Sequence, residues 1–204
     1  MTQATPAGTP AFTVDDSGWV VGVRHCVSPN FGPRPPGAQV VLAVVHSISL
    51  PPGVYGGDAI ERLFTNRLDW NEHPYYGEIR GMEVSAHFLV GRDGGVVQFV
   101  SCDQRAWHAG RSHWQGRDNC NDFSVGIELE GLEGEPFATV QYPVLVGLLT
   151  ALAGRYPLSA VAGHEHVAAG RKCDPGPGFD WPRLMAALAW PDRYFPEQVR
   201  SPAP

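Results

Sequence analysis

Nine residues, VVLAVVHSI from Val40 to Ile48, constrain the fold of this chain more than any other segment. The run is β-branched and almost continuously apolar, as a strand covered on both faces is. Such a strand belongs inside a parallel or mixed sheet with helices over it. One residue interrupts the pattern. His46 places a polar ring near the end of an apolar strand, where it needs a hydrogen-bonding partner or a ligand. Strand ends that open onto loops are where α/β proteins carry their sites.

The remaining segments fit the same class. WVVGVRHCVSPN (19–30) reads as an edge strand, and FGPRPPG turns the chain before the apolar run. Two adjacent prolines stop a ladder in 49–57, and Asp58 then suits the N-cap of a helix over AIERLF. Residues 66–81 read as a long polar loop. VSAHFLV (84–90) and VVQFV (96–100) read as hairpin arms joined by RDGG, and 107–121 as a second long loop. Ser124–Leu129 reads as a strand. Thr139–Tyr156 is the longest predicted helix, with Leu145, Leu148, Leu149, Leu152 and Ala153 on its apolar face and Pro143 in its first turn. A short strand or connector leads to Gly163, a Gly/Pro-rich loop covers 168–178, and WPRLMAALAW (181–190) closes the fold as a helix.

The expected architecture is a single α/β domain with a mixed central β-sheet flanked by helices. It should cover residues 19–190, with a flexible N-terminal tail over 1–18 and a Pro-rich C-terminal tail over 191–204. A chain of 204 residues can bury one sizeable core. Its 24 glycines and 19 prolines show no period, so they mark loops rather than a fibrous or disordered chain. Two loops longer than a dozen residues in so small a domain call for a functional reason.

A net charge of -6 without any Lys/Arg block argues against a nucleic-acid partner. No uncharged apolar stretch is long enough to cross a bilayer, so no membrane partner is expected either. Residues 1–16 lack the form of a secretory signal, which makes the cytoplasm the expected location. In that compartment Cys26, Cys102, Cys120 and Cys173 should be free thiols. Nothing in the sequence indicates an obligatory protein partner.

The chemistry concentrates in three places. The first is His46. The second is GHEHVAAGRKCDPGPG, in which His164 and Asp174 lie ten residues apart across a Gly/Pro-rich loop able to fold back on itself. Two imidazoles and a carboxylate form a sound ligand set for zinc and leave a fourth position open. His164 and His166, two apart on one strand face, are an alternative pair. The third is Glu128 in SVGIELEG. A carboxylate in an apolar strand is costly unless it is paired or aimed into a site, which makes Glu128 the candidate proton carrier; an edge-strand carboxylate facing water is the other reading. Lys172, two residues before Asp174, would point the same way and could stabilise an oxyanion. Arg171 should point elsewhere, towards solvent. Cys173 alternates away, as packing, and nothing positions Cys120 beside His108 or His113 for a Cys–His dyad.

Five blocks, in order, resemble the AmpD branch of the zinc-dependent N-acetylmuramoyl-L-alanine amidases, amidase type 2. They are VVHSISLPPGVYGG, FTNRLDW with HPYY, VSAHFLVGRDGGVVQFV, RAWHAGRSHWQGRDNCNDFSVGIELEG and GHEHVAAGRKCDPGPGFDW. The resemblance implies a mixed sheet flanked by helices and one zinc ion per chain, bound by His46, His164 and Asp174. It implies Glu128 and Lys172 as the catalytic pair. The expected substrate is a small muropeptide, cut between the lactyl group of muramic acid and L-alanine, in the 1,6-anhydro form recovered from cell-wall turnover. Trp107 and His108 fall in the family's substrate groove, and Ser47 and Asn119 fall where family members hold the stem peptide. Ser47 stands in place of an asparagine, Glu83 and Asn119 in place of arginines, and Cys173 in place of a threonine. These departures leave the catalytic set intact and touch recognition of the stem peptide.

Overall fold

The apolar run forms a strand, Leu42–Ile48, paired in parallel on both sides, with Ser124–Glu130 and with Ala160–Gly163. The computed structural model describes residues 8–200. In chain order its strands are β1 (Arg24–His25), β2 (Phe31–Gly32), β3 (Leu42–Ile48), β4 (Phe88–Val90), β5 (Val96–Gln98), β6 (Arg105–Ala106), β7 (His113–Trp114), β8 (Arg117–Asp118), β9 (Ser124–Glu130) and β10 (Ala160–Gly163). The helices are α1 (Ala59–Phe64), α2 (Pro74–Glu78), α3 (Gln141–Arg155), α4 (His164–Val167) and α5 (Trp181–Leu188). Six strands make the main sheet in the order β1-β5-β4-β9-β3-β10, and β2/β6 and β7/β8 form two small ribbons. Only the β4–β5 hairpin is antiparallel within the main sheet. This is the mixed α/β architecture that the apolar run predicts.

Side-chain alternation divides the central strands between two layers. Ala43 and Val45 of β3, and Val125, Ile127 and Leu129 of β9, join a core with α3 and α5. Leu145, Leu148, Leu149 and Leu152 supply the α3 side, each fully buried and each contributing roughly 1.5–3 kcal/mol of transfer free energy. Leu42 and Val44 face the other way, against Ala109, Cys120 and Phe123. His46 continues this second face, as do Gly126 and Glu128 on β9.

Several local expectations change. Residues 66–81 are not all loop: Pro74 starts α2, and the His73 ring accepts a hydrogen bond from the Tyr75 N–H at 3.1 Å. The loop over 107–121 contains the β7–β8 ribbon. Asp58 precedes α1 without capping it; its carboxylate meets Arg62 instead, at 3.0 Å. Ala153 is exposed, off the face that the four leucines form. The expected N-terminal tail is packed from Pro10 onward, because Gly147 of α3 leaves space for the Pro10 carbonyl and the Phe12 ring. At the other end residues 192–199 form two short 3-10 turns, and Phe195 between them is fully buried. The rest of both predicted tails, 1–7 and 201–204, lies outside the described residues. No helix among the described residues is long and apolar enough to cross a membrane.

Candidate metal centre and catalytic cleft

The register of β3 against β9 builds the site. His46 is the Cα partner of Glu128, so both side chains leave the same face of adjacent parallel strands. On the other side of β3, Gly163 ends β10 opposite Val45, and His164 begins α4 directly after it. The loop beyond α4 then returns to this point. The Glu165 N–H donates to the Asp174 carbonyl at 2.8 Å. A Cβ on Gly163 would stand 2.7 Å from the Pro175 ring, so only glycine lets the returning loop close on the strand end.

The result is a triangle of ligand atoms. His46 Nδ1 lies 3.0 Å from His164 Nδ1, and each nitrogen lies 3.1 Å from Asp174 Oδ2. All three residues are buried. Tetrahedral zinc with ligands at 2.0–2.1 Å has ligand–ligand edges of about 3.3 Å, so the observed triangle fits that ion closely. Electrostatics point the same way. Burial lowers His46 to about 4, with Asp174 opposing the shift, so its ring is neutral at neutral pH. Burial pushes the Asp174 carboxyl up, but contacts with His164 and His46 outweigh it and hold the group below the usual carboxylate range. An ionised carboxylate and imidazole nitrogens converging in a buried space suit a cation. His166, the alternative ligand, points away: its Nδ1 accepts from the Gly163 N–H at 2.9 Å, and its ring meets Trp181 edge-on.

These residues floor a cleft of about 560 Å³. Glu128 reaches it from β9 and is 8% exposed, and its Oε2 has no hydrogen-bond partner. Burial, and then the charge of Asp174, raise the Glu128 carboxyl well above the usual range, while Lys172 opposes them. The reading of Glu128 as a water-facing edge carboxylate is therefore overturned, since β9 is central and the side chain is enclosed. Glu130, on the same face, is different: it accepts from the Gly56 and Arg92 N–H groups, at 2.5 and 3.1 Å, and ties two loops to the sheet. Lys172 lines the cleft with an exposed side chain.

Ser47, Trp107 and His108 also line the cleft, while Asn119 does not. Asn119 is exposed after β8, with a left-handed φ of 56°. Trp107 is held by its backbone, whose N–H donates to Ser85 Oγ at 3.0 Å. Arg171 lies outside the cleft and is exposed, as expected, and its guanidinium also donates to the carbonyls of Ala109 and Arg111. Cys173 is exposed, and all four cysteines are free. Sequence reasoning missed Asn121, whose side-chain oxygen accepts from the N–H groups of His108 and Ala109, at 3.2 and 2.8 Å. No local pattern marks that clamp, because it closes across a loop.

Comparison with known proteins agrees with this geometry. Residues 36–177 match the N-acetylmuramoyl-L-alanine amidase family. The 1,6-anhydro-N-acetylmuramyl-L-alanine amidase AmpD of Enterobacter cloacae is 50% identical over 175 residues, which span 85% of this chain and 94% of that protein. The crystal structure of a selenomethionine AmpD derivative superposes with a TM-score of 0.83 at 48% identity, covering 85% of this chain and 98% of that one. AmpDH3 of Pseudomonas aeruginosa, solved in complex with an anhydromuramic pentapeptide, gives a TM-score of 0.52 at 28% identity, covering 74% of this chain and 61% of that one. A chain with this fold, this buried ligand triangle and these matches belongs to the N-acetylmuramoyl-L-alanine amidase family.

Proposed function

We propose that this chain hydrolyses the amide between the lactyl group of muramic acid and L-alanine in 1,6-anhydro-muropeptides. One observation carries the reading. A buried carboxylate with an unpartnered oxygen, Glu128, shares a cleft floor with the His46–His164–Asp174 triangle, in a chain half identical to a 1,6-anhydro-N-acetylmuramyl-L-alanine amidase.

His46, His164 and Asp174 would hold one zinc ion, which supplies Lewis acidity to polarise a carbonyl and to make water a better acid. The chain's own groups carry the rest. Glu128 Oε2 has no internal partner to compete for a proton, and its raised affinity suits a group that takes a proton from water and passes it to the departing alanine nitrogen. Lys172 offsets the negative charge that develops on the former carbonyl oxygen. Trp107 offers a flat apolar surface for the sugar or the peptide, and Ser47 offers a hydroxyl at the cleft wall. The proposed setting is the cytoplasm, on fragments recovered from wall turnover. The four free cysteines accord with a reducing compartment.

The test is the product mass after incubation with a defined anhydro-muropeptide. Release of an intact peptide beginning with L-alanine is expected. Equal turnover of anhydro and reduced muropeptides would sink the recycling assignment and leave a general wall amidase.

A further inference from the structure

We infer that His108 and Ala109 act as a platform beneath both imidazole ligands, with His108 a positioning residue that fixes the tautomer of His46. The inference rests on the reading of the triangle as a metal site and goes beyond it to the residues that prepare it.

At one end of the hydrogen-bonded chain the donor is unambiguous. The Ser124 hydroxyl donates to the Cys120 carbonyl at 2.6 Å, since a carbonyl can only accept. The Ser124 oxygen is then the acceptor for the His108 ring, whose Nε2 lies 3.2 Å away. A neutral imidazole carries one N–H, so His108 Nδ1 is left as an acceptor. His46 Nε2 lies 3.0 Å from that nitrogen, and must be its donor. The lone pair of His46 is thereby placed on Nδ1, inside the triangle. The neighbouring residue does the same for the other ligand. His164 Nε2 lies 3.2 Å from the Ala109 carbonyl, which fixes the N–H on Nε2 and the lone pair on Nδ1.

The surroundings hold this platform in place. Asn121 grips the N–H groups of both residues, and Arg171 donates to the same Ala109 carbonyl at 2.7 Å. On β9, a Cβ at Gly126 would collide with the His108 ring, so the strand is bare where the ring lies on it. The His108 ring is 9% exposed and meets His46 edge-on, with centroids 5.1 Å apart. The residue also lines the cleft, so this place behind the ligand adds to its expected position in the substrate groove. Outer partners that orient ligating histidines typically change metal affinity 10–100-fold when removed.

Three measurements test the inference. The first is long-range proton–nitrogen NMR on metal-free protein labelled at histidine. His46 and His164 are expected as Nε2–H tautomers, and a dominant Nδ1–H form of either overturns the platform. The second is zinc affinity by chelator competition. Ser124→Ala leaves every ligand and His108 in place, and is expected to weaken zinc about tenfold; unchanged affinity overturns the relay. The third compares His108→Asn, whose amide oxygen can stand near the Nδ1 position, with His108→Leu. Asn is expected to keep most of the affinity that Leu loses, and equal losses count against the acceptor role. If His108→Leu fails to fold, Ser124→Ala and the tautomer spectra still decide. Wild-type protein that binds no zinc would defeat the metal reading itself, while the tautomers remain measurable in its absence.

Discussion

His46 and Glu128 face one another as register partners on adjacent parallel strands. The sheet ladder therefore sets their separation, rather than a loop. A slip of one residue would send either side chain into the α3 core. This rigidity matters for a proton carrier, which must lie within hydrogen-bond reach of the proton it takes.

Replacing Glu128 should separate chemistry from structure. Glu128→Gln keeps the shape of the side chain and removes its basicity. Turnover is expected to fall by about 10²–10⁴ while stoichiometric zinc is retained. The same variant should be as stable as wild type or more so, by about 0.5–2 kcal/mol, because an amide removes the cost of holding a charge in a buried position beside Asp174. Near wild-type turnover would remove Glu128 from the mechanism.

The metal reading makes a thermal prediction. A ligand at 100 times its Kd stabilises the fold by about 2.7 kcal/mol, which for a domain of this size raises Tm by about 5–10 °C. Zinc added to chelator-stripped protein should give such a shift, and Asp174→Ala should abolish it. A melting curve indifferent to zinc in the wild type would count against the site.

The central strands are legible because their signals are local, and so are His46, Glu128, His164, Lys172 and Asp174, which meet in one cleft. β3 is apolar up to His46, His46 and Glu128 are polar breaks in apolar strands, and the 168–178 loop is rich in glycine and proline. What the sequence hid depends on contacts between distant segments. Pro10 and Phe12 pack because α3 has a glycine at position 147, and Phe195 is buried in the core that β3, β9, β10, α3 and α5 build together. The contact of His108 with His46 is hidden for a similar reason. Its partners, His46 and Ser124, lie 62 and 16 residues away, and only the folded register brings the three together.

The cleft rim makes a prediction about the stem peptide. Glu83 is exposed between Met82 and Val84, both of which line the cleft. A carboxylate there repels the acidic groups of a stem peptide. Glu83→Arg should lower KM for a diaminopimelate-bearing substrate by about 2–5-fold, the scale of a rim charge, with kcat nearly unchanged. The gain should fade in high salt. A change confined to kcat would show that this position acts on chemistry rather than on capture.

The final prediction concerns acid stability and centres on His87, a fully buried ring outside the ligand set. Its Nδ1 accepts from the Gly126 N–H at 3.0 Å, and its Nε2 donates to the Gln104 carbonyl at 3.1 Å. Both nitrogens are satisfied only in the neutral ring; a second proton would face the Gly126 N–H. Burial, and then the Arg34 guanidinium, push His87 down to about 3. The unfolded chain, with a histidine near its ordinary 6.5, therefore takes up this proton first as pH falls. Stability from this group is complete above about pH 6.5 and declines from there towards pH 3, at up to about 1.4 kcal/mol per pH unit. His87→Asn keeps an acceptor for Gly126 and does not titrate. Urea unfolding of both proteins between pH 7.5 and 5, with zinc removed from each, should show the variant less stable at pH 7.5 but with a shallower decline. The two curves should converge as pH falls, since His46 and His108 contribute equally to both and cancel in the comparison. Parallel curves would mean that His87 does not resist protonation in the fold, and that the acid sensitivity of the sheet arises elsewhere.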